Sequence, residues 1–330
     1  ADSGDDAAAS TGEFEEMTWK FACSATETSP WVDGAKEFAR IVGEKTGGAI
    51  TVQYYPADQL TAGNQTDGIQ ALMDGTTELS MHSNLIWSSF DQRFNVVSLP
   101  FLFSSTEEAD AALDGAGGEA LGEILESTYN VHLLGIAENG FRHITNSKHA
   151  IASKADMNGL KMRVAGSQLL NRSYELWGAD YTNANWSEVF TALQTGTYDG
   201  QENPLGIITG NKFEEVQSYC TLTEHVYTPY YVVMNQAKWD SLTAEQQEAL
   251  TKAIEETTQR QYELSQQYED EAIEVMEGAG CAVRTLTDEE KLGFKEAADK
   301  ANSLEAAKKI MYKPELADQM AAELEAYRNK

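Results

Sequence analysis

Apolar residues at Val32, Ala35, Phe38, Ala39 and Val42 keep the spacing of one helix face and predict a helix over Val32–Glu44. Ahead of it, Trp19–Ala25 ("WKFACSA") has strand character, and beyond it "TGGAITVQYYP" reads as a turn and a second strand at Ile50–Tyr55. "DGIQALMDGTTELSMHSN" then gives a helix, a stop at Gly75 and a third strand. The second half repeats this grammar. "NGLKMRVAGS" is a turn at Asn158-Gly159 and a strand at Leu160–Val164, a helix follows around Leu169–Leu176, and "SEVFTALQTGTYDGQEN" is helix, Gly196 stop and strand. Alternation of this kind predicts α/β units with largely parallel sheets.

Two of these segments are alike. Ala71-Leu72-Met73-Asp74-Gly75-Thr76 and Ala192-Leu193-Gln194-Thr195-Gly196-Thr197 both close an amphipathic helix on a glycine, where a left-handed conformation is accessible. Each runs on into polar residues, His82-Ser83-Asn84 in one case and Gln201-Glu202-Asn203 in the other. Ligands of open α/β sheets bind beyond the carboxyl ends of the strands. Two lobes that present such ends to each other would form a cleft.

The last third of the chain differs. Thr243 and Gln246 fit a capping box at the start of a long helix whose apolar positions are Leu250, Ile254, Leu264, Tyr268, Ala272 and Val275, up to Gly278. At 1.5 Å per residue it reaches roughly 50 Å, more than one small domain needs. Its stripe is polar at Thr257 and Gln261, as expected of a helix that packs on one lobe, crosses a gap and packs on the other. "CAVRTLT" is then a strand, and two helical patterns close the chain.

Composition narrows the function. With 53 Asp+Glu against 24 Lys+Arg, net −29, the 330-residue chain repels nucleic acid and anionic lipid. No run approaches the eighteen apolar residues of a membrane span. The opening "ADSGDDAAASTGEFEE" lacks an apolar core and reads as a flexible leader, of the kind that tethers a domain to a membrane or simply frays. Cys23, Cys220 and Cys281 allow at most one disulfide and equally suit buried free thiols. The five histidines keep no metal-ligand spacing, and "DGAGGEA" at 114–120 follows no strand and reads as a loop. No motif nominates a catalytic group.

Two arginines and a tryptophan stand out. Arg163 lies inside a short apolar strand and Arg142 follows an aromatic in "ENGFRHITNS". Each has two readings: a pair with one of the chain's many carboxylates, or a planar five-donor fork for an anionic ligand. Trp186, in "NANWSEVF", is either a core residue or an apolar wall against a ligand's carbon skeleton.

Taken together, "SEVFTALQTGTYDGQENPL", "NGFRHITNS", "GLKMRVAGS", "YYPADQL", "SLPFLF" and the long helix resemble the DctP-like solute-binding proteins of tripartite ATP-independent periplasmic (TRAP) transporters, from about Thr18 to the C-terminus. The resemblance implies an α/β, two-lobed periplasmic-binding-protein-like fold with hinge strands and a long helix spanning both lobes. It divides the chain into a leader over residues 1–16, a first lobe over 17–139 plus 227–268, and a second over 140–226 plus 269–330. The family closes around a small organic anion and docks on TRAP permease membrane subunits. The resemblance therefore implies an extracytoplasmic monomer with no catalysis, cofactor or metal, possessing an N-terminus that suits lipid anchoring. It assigns the main carboxylate-binding arginine to Arg163, a second to Arg142, an amide contact to Asn203, the aromatic wall to Trp186 and a further contact to Ser167. Thr28, His82 and Asn84 fall on segments expected to line the opposite side, while the departure "TAGN" after "PADQL" leaves open a contact near Asn64–Gln65. A ligand-sensing module for a membrane receptor uses the same fold, and a two-lobed enzyme with its site in the cleft is a third reading.

Overall fold

The computed structural model describes residues 15–302 and 314–329, so the leader expected over 1–16 lies, but for its last two residues, outside them. In chain order the described strands are β1 (Met17–Cys23), β2 (Ile50–Tyr55), β3 (Leu79–Ser83), β4 (Val131–Phe141), β5 (His143–Asn146), β6 (Lys161–Val164), β7 (Asp180–Asn183), β8 (Gly200–Asn203), β9 (Tyr219–Leu222), β10 (Tyr227–Asn235) and β11 (Ala282–Thr285). They form two sheets, β2-β1-β3-β10-β4 and β11-β9-β5-β8-β6-β7, one to each lobe.

The sheets are mixed where the sequence predicts largely parallel ones. β10 runs against β3 and β4, and β5 runs against β8 and β9. In each sheet the reversed strand is the one whose chain arrives from the other lobe, and so enters from the cleft side. The two crossings lie together. β4 passes into β5 through Arg142, β9 returns to β10 through Thr223–Val226, and the Arg142 N–H donates to the Val226 carbonyl at 2.8 Å.

Both glycine stops take left-handed backbone, φ 73° at Gly75 and 72° at Gly196, and turn the chain sharply into β3 and toward β8. "DGAGGEA" is not a loop. From Ala116 it is the first turn of a helix, Ala116–Tyr129, and a Cβ on Gly118 would collide with the Leu113 carbonyl. The glycines there serve close packing of that helix on the one before it.

The long helix runs over Ala244–Gly278 and opens with the expected capping box, Thr243 N–H donating to Gln246 Oε1 at 2.8 Å and Gln246 N–H to Thr243 Oγ1 at 3.2 Å. Leu250, Ala253 and Ile254 pack with Trp19, Phe21 and Phe38 in the first lobe, and Ala272 and Met276 with Val189, Ile208 and Cys220 in the second. Its polar middle crosses no gap. Gln261 donates to the Glu138 carbonyl at 2.9 Å and accepts from the Glu138 N–H at 3.1 Å, locking the helix onto β4 four residues before Arg142. The closing helix, Pro314–Arg328, departs from the expected division. Leu324 joins the core of the first lobe, and Arg328 pairs with Glu108 and donates to the Leu102 carbonyl at 2.8 Å. The apolar surface left on the helices Thr106–Leu113 and Ala116–Tyr129 draws it there rather than onto the second lobe.

Candidate functional site

Strand ends from both sheets meet between the lobes. Ser24 just past β1, Ser83 closing β3, Ala165 just past β6 and Asn203 closing β8 all line one narrow cavity. Carboxyl ends of strands are where open α/β sheets offer uncommitted polar groups. The rims touch across the cleft: Thr26 Oγ1 donates to Asn211 Oδ1 at 3.0 Å, Thr28 Oγ1 to the Gly210 carbonyl, Ser89 Oγ to the Gly166 carbonyl at 3.1 Å, and Ser167 Oγ to Asn95 Oδ1 at 2.8 Å. This is a closed arrangement of the lobes.

Arg163 projects from β6 and is 3% exposed. Its Nε and Nη2 both donate to one acceptor, the Ala184 carbonyl, at 3.3 and 3.0 Å, and its guanidinium carbon lies 5.5 Å from the Trp186 ring centroid. Among the described residues no carboxylate comes within 4.0 Å of it. Burial pushes its pKa down to about 10, against the attraction of the more distant Glu202, so it remains charged at neutral pH. A buried cation without an anion carries a solvation penalty that an incoming carboxylate would relieve.

Arg142 is also buried on the cavity wall but is already paired. Its Nε and Nη2 grip the Glu202 carboxylate, the Nη2 contact to Oε1 being 2.9 Å, and Nη2 also donates to the Glu202 carbonyl at 2.7 Å and to Asn203 Oδ1 at 3.0 Å. Burial opposes the charge on Glu202, yet the Arg142 charge, together with hydrogen bonding, holds its carboxyl down at about 2. Glu202 Oε1 accepts in addition from the Ala165 N–H at 3.1 Å, and His225 Nε2 lies 3.7 Å from Oε2. The "QEN" run thus divides its work. Gln201 donates to Thr145 Oγ1 at 2.9 Å and accepts from Asn203 Nδ2 at 2.6 Å, Glu202 neutralises Arg142, and Asn203 reaches the cavity.

Of the eight residues named from sequence, Arg163, Arg142, Asn203 and Trp186 line the cavity together. The other four do not. Ser167 caps the helix Gln168–Trp177 and makes the rim bond to Asn95, and Thr28 is an exposed rim residue bonded to Gly210. Asn84 spends its amide on the Phe94 carbonyl and Ser98 Oγ, at 3.1 and 2.7 Å. His82 turns to the far face of β3 and meets Asp58 Oδ1 at 2.8 Å. In their place the wall holds Ser24, Ser83, Gln65, Asn139, Asn211 and Tyr230. The carboxyl-end argument applied to β1 would have found Ser24. Tyr230, its ring tilted against that of Trp31 with centroids 4.0 Å apart, has no sequence signal.

Comparison with known proteins places these features. The family model described as bacterial extracellular solute-binding protein, family 7, matches residues 21–309. The 2,3-diketo-L-gulonate-binding periplasmic protein of Escherichia coli (strain K12) is 32% identical over 88% of this chain and 87% of its own, and the C4-dicarboxylate-binding periplasmic protein of Rhodobacter capsulatus 31% identical over 86% and 84%. The crystal structure of the sugar acid binding protein from Advenella mimigardefordensis strain DPN7T in complex with galactonate superposes with a TM-score of 0.88 at 31% identity, covering 94% of this chain and 99% of that one. A cleft between two α/β lobes, a helix clamped to both and a match across nearly the whole chain lead to one conclusion: the chain belongs to family 7 of the bacterial extracellular solute-binding proteins, the solute receptors of TRAP transporters.

Proposed function

We propose that Arg163 is the anchor by which this extracytoplasmic receptor holds a small organic acid between its lobes before delivering it, chemically unchanged, to a TRAP permease. One observation carries the reading: a guanidinium 3% exposed, on the wall of the interlobe cavity, with no carboxylate partner among the described residues. The relatives are named for a diketo sugar acid, C4-dicarboxylates and a sugar acid, and an acid group is what those ligands share. The fork of Arg163 supplies parallel hydrogen bonds to that group, Asn203 supports it, and Trp186 flanks the carbon skeleton. Closure follows because ligand atoms bridge side chains from both sheets.

Calorimetric titration with a panel of organic acids, followed by small-angle scattering with and without the tightest one, tests the proposal. Saturable one-site binding with a smaller radius of gyration in the complex is expected. Binding of neutral sugars or amines in preference to acids would overturn it.

A further inference from the structure

Resting on the reading of Arg163 as the carboxylate anchor, we infer that the site selects a monocarboxylate bearing hydroxyl groups and discriminates against dicarboxylates. The charge balance of the cleft is the first argument. The cavity adjoins a second space that opens outward past Arg163, sharing Gln65, Ile86 and Arg163 with it. Among the described residues the only cations lining either space are Arg142 and Arg163. Glu202 cancels Arg142 at contact distance and stays ionised, because its carboxyl is gripped from two guanidinium nitrogens and a backbone N–H. The cleft therefore offers one net positive charge. A first carboxylate takes it. A second would be desolvated without a counter-charge, inside a molecule whose net charge of −29 already opposes anions.

The second argument is hydrogen-bond polarity. Among the described residues, one polar atom on the cavity wall, Asn139 Oδ1, is buried and has no hydrogen-bond partner. The orientation of Asn139 is set by its neighbours. The Thr228 hydroxyl gives its proton to the Gly140 carbonyl at 3.4 Å, so it accepts from Asn139 Nδ2 at 3.0 Å, and the amide oxygen is left as the free end. An unpaired acceptor welcomes a hydroxyl and repels a carboxylate. Leu85, Ile86 and Ile207 complete the wall for the carbon chain.

Matched acids test this on the full-length protein. Dissociation constants are measured by calorimetry for two sets of equal chain length: erythronate, butyrate and succinate, and gluconate, hexanoate and adipate. In at least one set the hydroxylated monocarboxylate binds tenfold or more tighter than the plain acid and a hundredfold or more tighter than the diacid. Asn139→Leu narrows the ratio of hydroxylated to plain acid at least tenfold. Glu202→Gln, which releases Arg142, shifts the ratio of diacid to hydroxylated acid at least tenfold toward the diacid. Melting curves identify a variant that fails to fold, and the wild-type panel decides the matter without either variant. If the diacid binds within tenfold of the hydroxylated acid in both sets, the inference falls and the carboxylate receptor stands. If no acid of either set binds, the reading of Arg163 falls with it.

Discussion

Replacing Arg163 by Met separates an anchor from a structural arginine, because the two roles predict opposite changes in the empty protein. Met keeps most of the stem that packs among apolar neighbours and removes the charge. The side chain it replaces gives up two hydrogen bonds to a single carbonyl and a contact over the Trp186 ring, together worth about 2 kcal/mol. Against that stands relief from holding a buried charge without a partner, about 3–5 kcal/mol on the scale of broken buried ion pairs. The ligand-free variant should gain about 1–3 kcal/mol. With an unfolding entropy of about 2.1 cal/mol/K per residue, a chain of this size gains about 1.5 °C per kcal/mol, so Tm should rise by about 2–4 °C. Binding moves the other way. Losing two charge-assisted hydrogen bonds to a carboxylate costs about 3–6 kcal/mol, or two to four orders of magnitude in Kd. Differential scanning calorimetry on the ligand-free protein, paired with titration of the tightest acid, reads both. A Tm several degrees lower together with unchanged affinity would refute the reasoning and return Arg163 to a purely structural role.

Three further outcomes are expected. Burial, then the charge of Glu269, raises the Glu138 carboxyl to about 8, and burial, then Glu224, raises Glu269 to about 7; the folded state binds these protons and the unfolded state does not, so stability falls as pH rises from 6.5 to 8.5, and Glu138→Gln flattens that limb in thermal melts. Below pH 6.5 His143, which burial keeps neutral down to about 3, works in the other direction, and below about 4.5 Glu202 joins it, because Arg142 keeps it ionised in the fold down to about 2 while the unfolded carboxyl takes up a proton. Gly200→Ala should cost about 3 kcal/mol or more in a denaturant titration, because its Cβ would collide with the Thr145 carbonyl and lie 2.9 Å from both Asn146 Cβ and Met162 Cε in the middle of the second sheet. Cys23, Cys220 and Cys281 are free and buried, and burial raises each thiol pKa, so a thiol reagent at pH 8 should label none of them until the protein is unfolded.

The sequence was most legible where one backbone position decides the outcome. Gly75 and Gly196 mark the turns into β3 and toward β8, Thr243 marks the start of the long helix, and a charged residue inside the apolar strand "KMRV" marks the site. It was least legible where the answer depends on register across a sheet. Arg142 meets Glu202 because β5 and β8 pair with His143 opposite Asn203, which no periodicity within either segment specifies. His82 and Ser83 show the cost of a single position: successive strand residues face opposite sides, so Ser83 looks into the cavity while His82 fastens Asp58 behind the sheet. The polar middle of the long helix suggested an unsupported span. A glutamine can equally serve as a two-pronged mimic of a peptide group, and Gln261 does so against Glu138. The closing helix could not be assigned to a lobe by its own pattern, since either lobe accepts an amphipathic face.

Arg142 belongs to two machines at once. Its backbone is the link on which β4 becomes β5, tied to the returning link at Val226, while its side chain forms part of the cavity wall and is wired through Glu202 to the backbone of Ala165 just past β6. Cargo held as proposed would therefore bear on the crossing between the lobes directly, as well as on the rims. A membrane partner that senses only the angle between the halves can tell a loaded carrier from an empty one without ever inspecting the cargo.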